Sequence, residues 1–535
     1  MNKRLVLLSL AWMCSCLCGF SKNIKVERWQ RFEQVFRASV EGNPFVDATL
    51  SATFWQEGGD SIAVEGFCDG THRFVVRFMP EKVGKWNFVT QSNVDALDGK
   101  RGSFECVEAA VGNHGMVRVG GKHHFAYADG TTYYPVGTTA YDWIHMSEEV
   151  RRQACQSLKE AQFNKLRMCV LPKYYALCKE EPELLPFEVK GQEGEKPVFD
   201  LTRPDPSFFK NLENCIDSLA QLGIEADVIL FHPYDKGHWG FDSMPMDANL
   251  QYIRYVVARL SSFHNVWWSL ANEYDYVKAK SESGWFRLIE EVNARDPYRH
   301  LCSIHGSTAT YFPYHTDGLT HTSIQDEAPV MEAGRAPMLR NIYAKPVVLD
   351  EVCYEGNLAQ RWGRLSGEEM LYRIWNGLIA GVYVTHGECY QYHKGDFDTI
   401  FWAKGGKWRG ESWKRIPFVR ELLADLPHPL QMADVSRDDV TATAGDGYYL
   451  VYFGKQMQDS WLFNLPAKNA GYEVVKPGTK YKVEIIDTWD MTVTECPDLF
   501  EVGAKNDYRH YDKDFRKIRL PLKPYLMLRI KKYNP

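Results

Sequence analysis

VWWSLANEYDY (266–276) and PVVLDEVCYEG (346–356) are the two stretches on which the fold turns. Each is an apolar run of strand length that ends on a carboxylate, Asn272-Glu273 in the first and Asp350-Glu351 in the second. Strands apolar on both faces belong to buried parallel sheets. Six further runs of this kind surround them. YYPVGTT (133–139), FNKLRMCV (163–170) and EADVILF (225–231) precede the first; HLCSIHG (300–306) and LTHTSI (319–324) lie between the two; GVYVTHG (381–387) follows the second. Amphipathic stretches separate them. At 147–161 Ser147 caps, Glu148 and Glu149 sit in the positive first turn, and Val150, Ala154, Leu158 and Ala161 form the apolar stripe. At 208–222 Phe209, Leu212, Ile216, Leu219 and Leu222 repeat the pattern, and Gly223 ends the helix. Eight strands alternating with helices over residues 112–431 predict a (β/α)8 TIM barrel. The short interval between the fifth and sixth strands leaves the least room for a helix.

In such a barrel the working residues stand at the C-terminal ends of the strands. Glu273 then ends strand four and Glu351 strand seven, across the mouth from one another. Glycoside cleavage needs two carboxyls flanking the bond, one to protonate the leaving oxygen and one to attack or to activate water; ~5 Å between them suits direct attack and retention. Either residue alone also fits a plainer role, Glu273 as a helix-start carboxylate and Glu351 as part of a loop cap. Two such strand ends, three βα units apart, favour the catalytic reading. The other strand ends predict a sugar-binding lining: Tyr141, Asp142 and Trp143 after strand one, His232 and Tyr234 after strand three, His305 after strand five and Gln325 after strand six. His386 and Glu388 follow strand eight, with Trp402 and Trp408 in FDTIFWAKGGKWRG (397–410), and 236–240 (KGHWG) reads as a mobile aromatic loop. Three His on one rim would also suit a metal, but no HxH or HExxH spacing supports one. No metal or cofactor is expected.

At these residues the chain resembles the large clan A of glycoside hydrolases, whose acid/base follows strand four and whose nucleophile follows strand seven. The resemblance implies Glu273 as acid/base, Asn272 as the partner of the sugar 2-hydroxyl and Glu351 as nucleophile. In AQFNKLRM (161–168) it implies Arg167 as the strand-two arginine that keeps the nucleophile ionised. Over nearly the whole chain, PVGTTAYDW (135–143), THGE (385–388) and KGGKWRGES (404–412) resemble bacterial architectures that join a DUF5060 and a DUF5605 domain to a DUF4038-like barrel. Some relatives carry a collagen-binding label and others are apiosidases. Taken with the strand-end pair and the N-terminal segment, the resemblance gives the reading of an exported retaining hydrolase of a β-linked, or equivalently configured, poly- or oligosaccharide. The other reading is a non-catalytic extracellular protein that binds glycan or a collagen-like matrix.

The flanks read differently. Short alternating runs such as DATLSATFWQ (47–56), HRFVVRFMP (72–80) and GKWNFVTQS (84–92) predict a β-sandwich over 24–111 that carries no catalysis. GYYLVYFG (447–454), SWLFNLP (460–466), YKVEIIDTWD (481–490) and PYLMLRIKK (524–532) predict a small β-sandwich over 432–535. Residues 1–21 join Lys3 and Arg4 to an apolar stretch too short to span a bilayer, the pattern of a secretory signal; Met13-Cys14-Ser15-Cys16 leaves a lipid anchor at Cys16 as the variant. No other stretch is apolar enough to span. Export places the protein in the periplasm, on the cell surface or outside. The ten Cys beyond the signal show no metal spacing; Cys169 and Cys302, within apolar runs, are expected as buried thiols. With 63 basic against 69 acidic residues and no like-charge block, a nucleic-acid partner is excluded. Aromatics at 14% suit stacking on sugars and suit a β-rich core equally.

Overall fold

The computed structural model describes residues 24–70, 72–328, 335–391, 401–434, 440–445, 447–467, 475–506 and 508–535. The expected signal segment and Cys16 lie outside the described residues. Each of the eight apolar runs contains a strand: Gly137–Thr139, Lys165–Cys169, Glu225–Phe231, Val266–Ala271, Cys302–Ser303, Thr322–Gln325, Val347–Glu351 and Tyr383–Val384, here strands one to eight. The first five pair in order in one parallel sheet and the last three in another. A parallel bridge between His305 and Ser323 joins the two sheets. On the far side the His386 amide donates to Gly137 O at 2.8 Å, so hydrogen bonding passes around a ring. The register sets Thr139, Arg167, Asp227 and Trp267 side by side across strands one to four.

Helices Glu148–Ala161, Pro206–Gln221, Met246–Leu260, Glu282–Arg295, Arg335–Tyr343, Gly367–Ile379 and Ile416–Ala424 follow every strand except the fifth. Residues 304–321 hold no helix, as the short spacing requires. Ser147 caps the first helix, accepting from the Val150 amide. The second begins two residues before the apolar pattern, because Asp205 accepts from the Ser207 and Phe208 amides and Pro206 occupies its first turn.

Two hairpins escape the periodicity. Thr132–Tyr133 leaves strand one and joins Val117–Gly120 and His124–Tyr127 in an antiparallel sheet. Its Phe125 rests on Trp267, His321 and Tyr383 with ring centroids 5.2, 5.7 and 5.5 Å away, covering the end of the ring opposite the strand C-termini. The second, Phe187–Glu193 with Lys196–Pro204, is inserted after strand two.

The N-terminal segment forms a five-stranded and a three-stranded sheet that share a core, where Phe54 stacks on Phe78 at 4.2 Å and Phe32 on Phe104 at 4.3 Å. The C-terminal segment is all-β, one nine-stranded sheet with a separate pair, Ser460–Leu462 and Lys517–Arg519. Strand alternation gives it two apolar faces: in Tyr448–Tyr452, Tyr448, Leu450 and Tyr452 pack on the ring's core, whereas Tyr449 and Val451 face the segment's own core, which includes Trp461 and Ile518 of the separate pair. The ten described Cys are free, Cys169 and Cys302 among those buried. No helix among the described residues is long and apolar enough to cross a membrane.

Candidate active site

Glu351 is the last residue of strand seven, and its Oε1 accepts from Tyr141 Oη at 2.6 Å. Arg167 Nη1 stands 3.6 Å from the same oxygen and donates to Tyr141 Oη at 3.2 Å, while Nη2 donates to Asn272 Oδ1 at 3.2 Å. His305 Nε2 lies 3.5 Å from Glu351 Oε1, its other nitrogen 3.1 Å from Ser323 Oγ. Below this layer Lys165 Nζ sits 2.7 Å from Asp227 and 2.8 Å from Asp350, and Asp350 also accepts from Ser323 and Thr385. A register shift leaves Asp350 as an extra residue between Leu349 and Glu351, which pair with Ile324 and Gln325, so both carboxyls face Arg167. Burial opposes the Asp350 charge, yet Lys165 and Arg167 hold that carboxyl well below the usual range. Asp350 is thus a structural anion. Burial pushes Glu351 above the usual carboxylate range, against the pull of Arg167, Tyr141 and Lys173. The expectation that Arg167 holds Glu351 low is corrected: it acts in that direction, but desolvation outweighs it.

Glu273 follows strand four with a left-handed backbone, φ 48° and ψ 56°, a conformation non-glycine residues seldom adopt outside constrained sites. Tyr234 Oη donates to its Oε2. Burial, then the negative charge of Glu351, raises its carboxyl to about 8. It therefore holds its proton at neutral pH.

Aromatic rings wall this pair. Trp402 meets Tyr141 and Tyr175 edge-on at 6.0 Å and lies 5.5 Å from both Tyr354 and Trp362. Gln325 flanks Glu273 and His305 and donates to Glu327 at 2.9 Å. The structure therefore brings together Glu273, Glu351, Arg167, Asn272, Tyr141, His305, Gln325 and Trp402. Trp143 and His232 do not join them. Trp143 is buried in the core, where Nε1 donates to Arg151 O, because the chain turns into a short 3-10 helix directly after Asp142. His232 spends both nitrogens on backbone, Nε2 at Leu171 O and Nδ1 at the Tyr234 amide, and so shapes the loop that carries Tyr234. Residues 236–240 are held down rather than left loose: Asp235 accepts from the Trp239 and Phe241 amides, and His238 stacks on Tyr174 at 3.6 Å.

His386, Glu388 and Trp408 belong to a second cluster. Glu355, His386 and Glu388 offer ligand atoms within 4.8 Å of one another, the arrangement a metal could use. Each of them already has protein partners. Glu355 receives Tyr390 Oη, the amides of Glu411 and Ser412 and the Ser412 hydroxyl; Glu388 receives the amides of Arg409 and Gly410. His386 lies 3.0 Å from Thr138 Oγ1 and 3.1 Å from Ser412 Oγ. The cluster cradles the 409–412 loop, and Trp408 stacks on Phe401 at 3.6 Å beside it. Sequence reasoning missed Lys173, Tyr175, Tyr354 and Trp362. Tyr354 lies three residues past Glu351, and Lys173 and Tyr175 a few residues past strand two, so carrying the strand-end rule further along each loop would have reached those three.

Comparison with known proteins matches three family models in order: the domain of unknown function DUF5060 over 25–93, the apiosidase-like catalytic domain over 120–415 and the domain of unknown function DUF5605 over 438–531. No curated protein matches the chain. Among solved structures, the chain is similar to one described as a candidate glycoside hydrolase from Bacteroides vulgatus ATCC 8482. Identity is 54%, the match covers 95% of this chain and 100% of that one, and the TM-score is 0.93. A second, described as a glycoside hydrolase, shares the fold at 14% identity and a TM-score of 0.54, over 78% of this chain and 97% of that one. The apiosidase-like model spans more than half of the 535 residues, and the chain belongs to the apiosidase-like catalytic-domain family, between a DUF5060 and a DUF5605 domain.

Proposed function

We propose that the chain is an exported glycoside hydrolase that cleaves a β-linked, or equivalently configured, glycosidic bond with retention, on a (β/α)8 barrel whose mouth holds Glu273 and Glu351. The observation that carries this reading is the contrast between the two carboxyls. Glu351 is gripped by Tyr141 with Arg167 alongside, whereas Glu273 keeps its proton up to about pH 8. A protonated acid and a carboxylate beside a cation are the two partners retention requires. Glu351 attacks the anomeric carbon as Glu273 gives its proton to the departing oxygen. Glu273 then takes a proton from the water that displaces Glu351. A binding-only module has no use for this arrangement, and the glycoside hydrolase description of the Bacteroides vulgatus protein favours the enzyme.

A panel of aryl glycosides, including an apioside because of the family's name, tests the reading. Glu351→Ala should abolish turnover on every substrate. Glu273→Ala should spare activated aryl leaving groups and cripple poor ones, and azide should restore it with a product of retained configuration. An inverted azide product from Glu273→Ala would exchange the two roles, and wild-type rates in both variants would end the proposal. Export is checked by intact mass of protein from its native envelope, with cleavage expected between residues 15 and 22 or an acyl group on Cys16.

A further inference from the structure

Lys173 stands between the two phenols that hold the carboxyls. Its Nζ lies 4.2 Å from the ring centroid of Tyr141, which donates to Glu351, and 4.3 Å from that of Tyr234, which donates to Glu273. Tyr175 and Trp402 complete a four-ring cage at 5.7 and 5.8 Å. The backbone at this point is fixed by the Lys173 amide on Asp142 Oδ1 at 3.1 Å and the Tyr174 amide on Tyr234 O at 2.6 Å. The residue is only 1% exposed. Among the described residues no carboxylate comes within ion-pair distance of Nζ and no acceptor within hydrogen-bond distance. Lys165 and Arg167, by contrast, each meet carboxylates directly.

An ammonium has three N–H donors and needs acceptors once water is removed. The four π faces and the charge of Glu351 stabilise its cation, but they accept none of those protons in a linear hydrogen bond. A sugar ring entering between Glu273 and Glu351 expels the water around Nζ. One that offers an oxygen there gives one of those donors a partner, and one that lacks it leaves the buried charge without any. Sites built to hydrogen-bond a substrate group reject analogues without it by large factors.

We infer that Lys173 selects the substrate: it reads an oxygen substituent, hydroxyl or carboxylate, on the sugar ring held between Glu273 and Glu351, and takes no part in proton transfer. This rests on the reading of that pair as a glycoside-cleaving site.

The test measures calorimetric binding of free glucose, galactose, mannose, xylose, arabinose and glucuronate to wild type, Lys173→Met and Lys173→Arg. For the best-bound sugar, Lys173→Met should lose at least tenfold in affinity. One monodeoxy form of that sugar should cost wild type a similar factor and cost Lys173→Met nothing further. The neutral and glucuronate arms show whether the oxygen is a hydroxyl or a carboxylate. Lys173→Arg keeps the charge but displaces the donors, so it should also lose the discrimination, even if the methionine variant fails to fold. On an activated aryl glycoside, KM should rise in both variants, and the pH profile should stay in place in Lys173→Arg, which keeps the charge that lowers Glu273 and Glu351. The inference is overturned if Lys173→Met binds as wild type does, if every deoxy form penalises both equally, if the pH profile moves with KM unchanged, or if wild type binds no sugar of the panel. Lys173-dependent binding in a protein that turns over no glycoside would sink the hydrolase reading and leave the recognition role standing.

Discussion

At the residue scale Tyr141 joins Arg167 in steadying Glu351, while Tyr234 donates to Glu273. Each phenol donates to one carboxyl, so the two acids have separate partners inside one low-dielectric site. A hydrogen bond to a charged group is worth about 1.5–3 kcal/mol. Tyr141→Phe should therefore lower kcat by about 10- to 100-fold, through loss of the donor that steadies Glu351. The same variant should move the acid limb of the pH–rate profile upward, because Glu351, already raised by burial, loses a group that lowers it. The alkaline limb belongs to Glu273. A carboxyl raised from 4.5 to about 8 is protonated below that value, so kcat/KM should fall as pH rises through about 8, and a limb near 5 would contradict the assignment. The sign for stability is the same. A raised carboxyl favours the folded protein below about pH 4.5 and loses that contribution as pH climbs to about 8.

At the scale of elements, the loops beyond the strands carry as much of the site as the strands do. The 409–412 loop is bound through its backbone amides to Glu355 and Glu388, and those carboxylates grow from the ends of strands seven and eight. Gly410 makes this approach possible: a Cβ there would meet Glu355 Cδ at 2.5 Å and Glu388 Oε2 at 2.6 Å. Gly410→Ala should open the cradle, lowering both the melting temperature and activity. Retained melting temperature and kcat would show the cradle to be dispensable. Tyr354 is directly bonded to Glu355, so disturbance passes straight to the wall around Glu351.

Across the whole molecule, the N-terminal sheets are locked to the ring by charge as well as by apolar contact. Arg77 donates to both oxygens of Glu213 at 2.7 and 3.0 Å, Arg259 donates to Glu213 and Asp69, and all three long side chains at the centre are buried. Breaking one partner from a buried network strands a charge, at a cost of about 3–5 kcal/mol, less where a second partner remains, as Arg259 does here. Arg77→Ala should lower the melting temperature by several degrees and leave kcat/KM at 25 °C within about twofold, since it lies at none of the strand C-termini. A large loss of kcat/KM with an unchanged melting temperature would make the sandwich part of the catalytic apparatus. Deleting 24–111 outright would uncover Glu213, Arg259 and Tyr298, whose hydroxyl accepts from the Met79 amide, so the point variant is the cleaner experiment.

Strand count, strand order and the pair Glu273 and Glu351 were legible in the sequence because buried parallel strands write their burial as unbroken apolar runs, and the end of a run marks where a side chain meets the mouth. Tyr141, His305 and Gln325 followed from the same rule, one or two residues deep; Arg167 and Asn272 came from the resemblance to clan A, and Trp402 from the aromatic loop after strand eight. The rule could not separate Tyr141 from Trp143, since two residues on, a 3-10 turn sends the indole into the core. It could not tell that His232 spends its nitrogens on backbone while His305 faces Glu351, because a histidine's partners come from other strands. Nor could local pattern show that the hairpin around Phe125 closes the ring's lower end, that one face of the C-terminal sheet packs on the ring, or that aromatic rings cage Lys173. Local periodicity reports how much of each element is buried. What each buried polar group faces is set by residues scores of positions away, and only the tertiary structure brings these together.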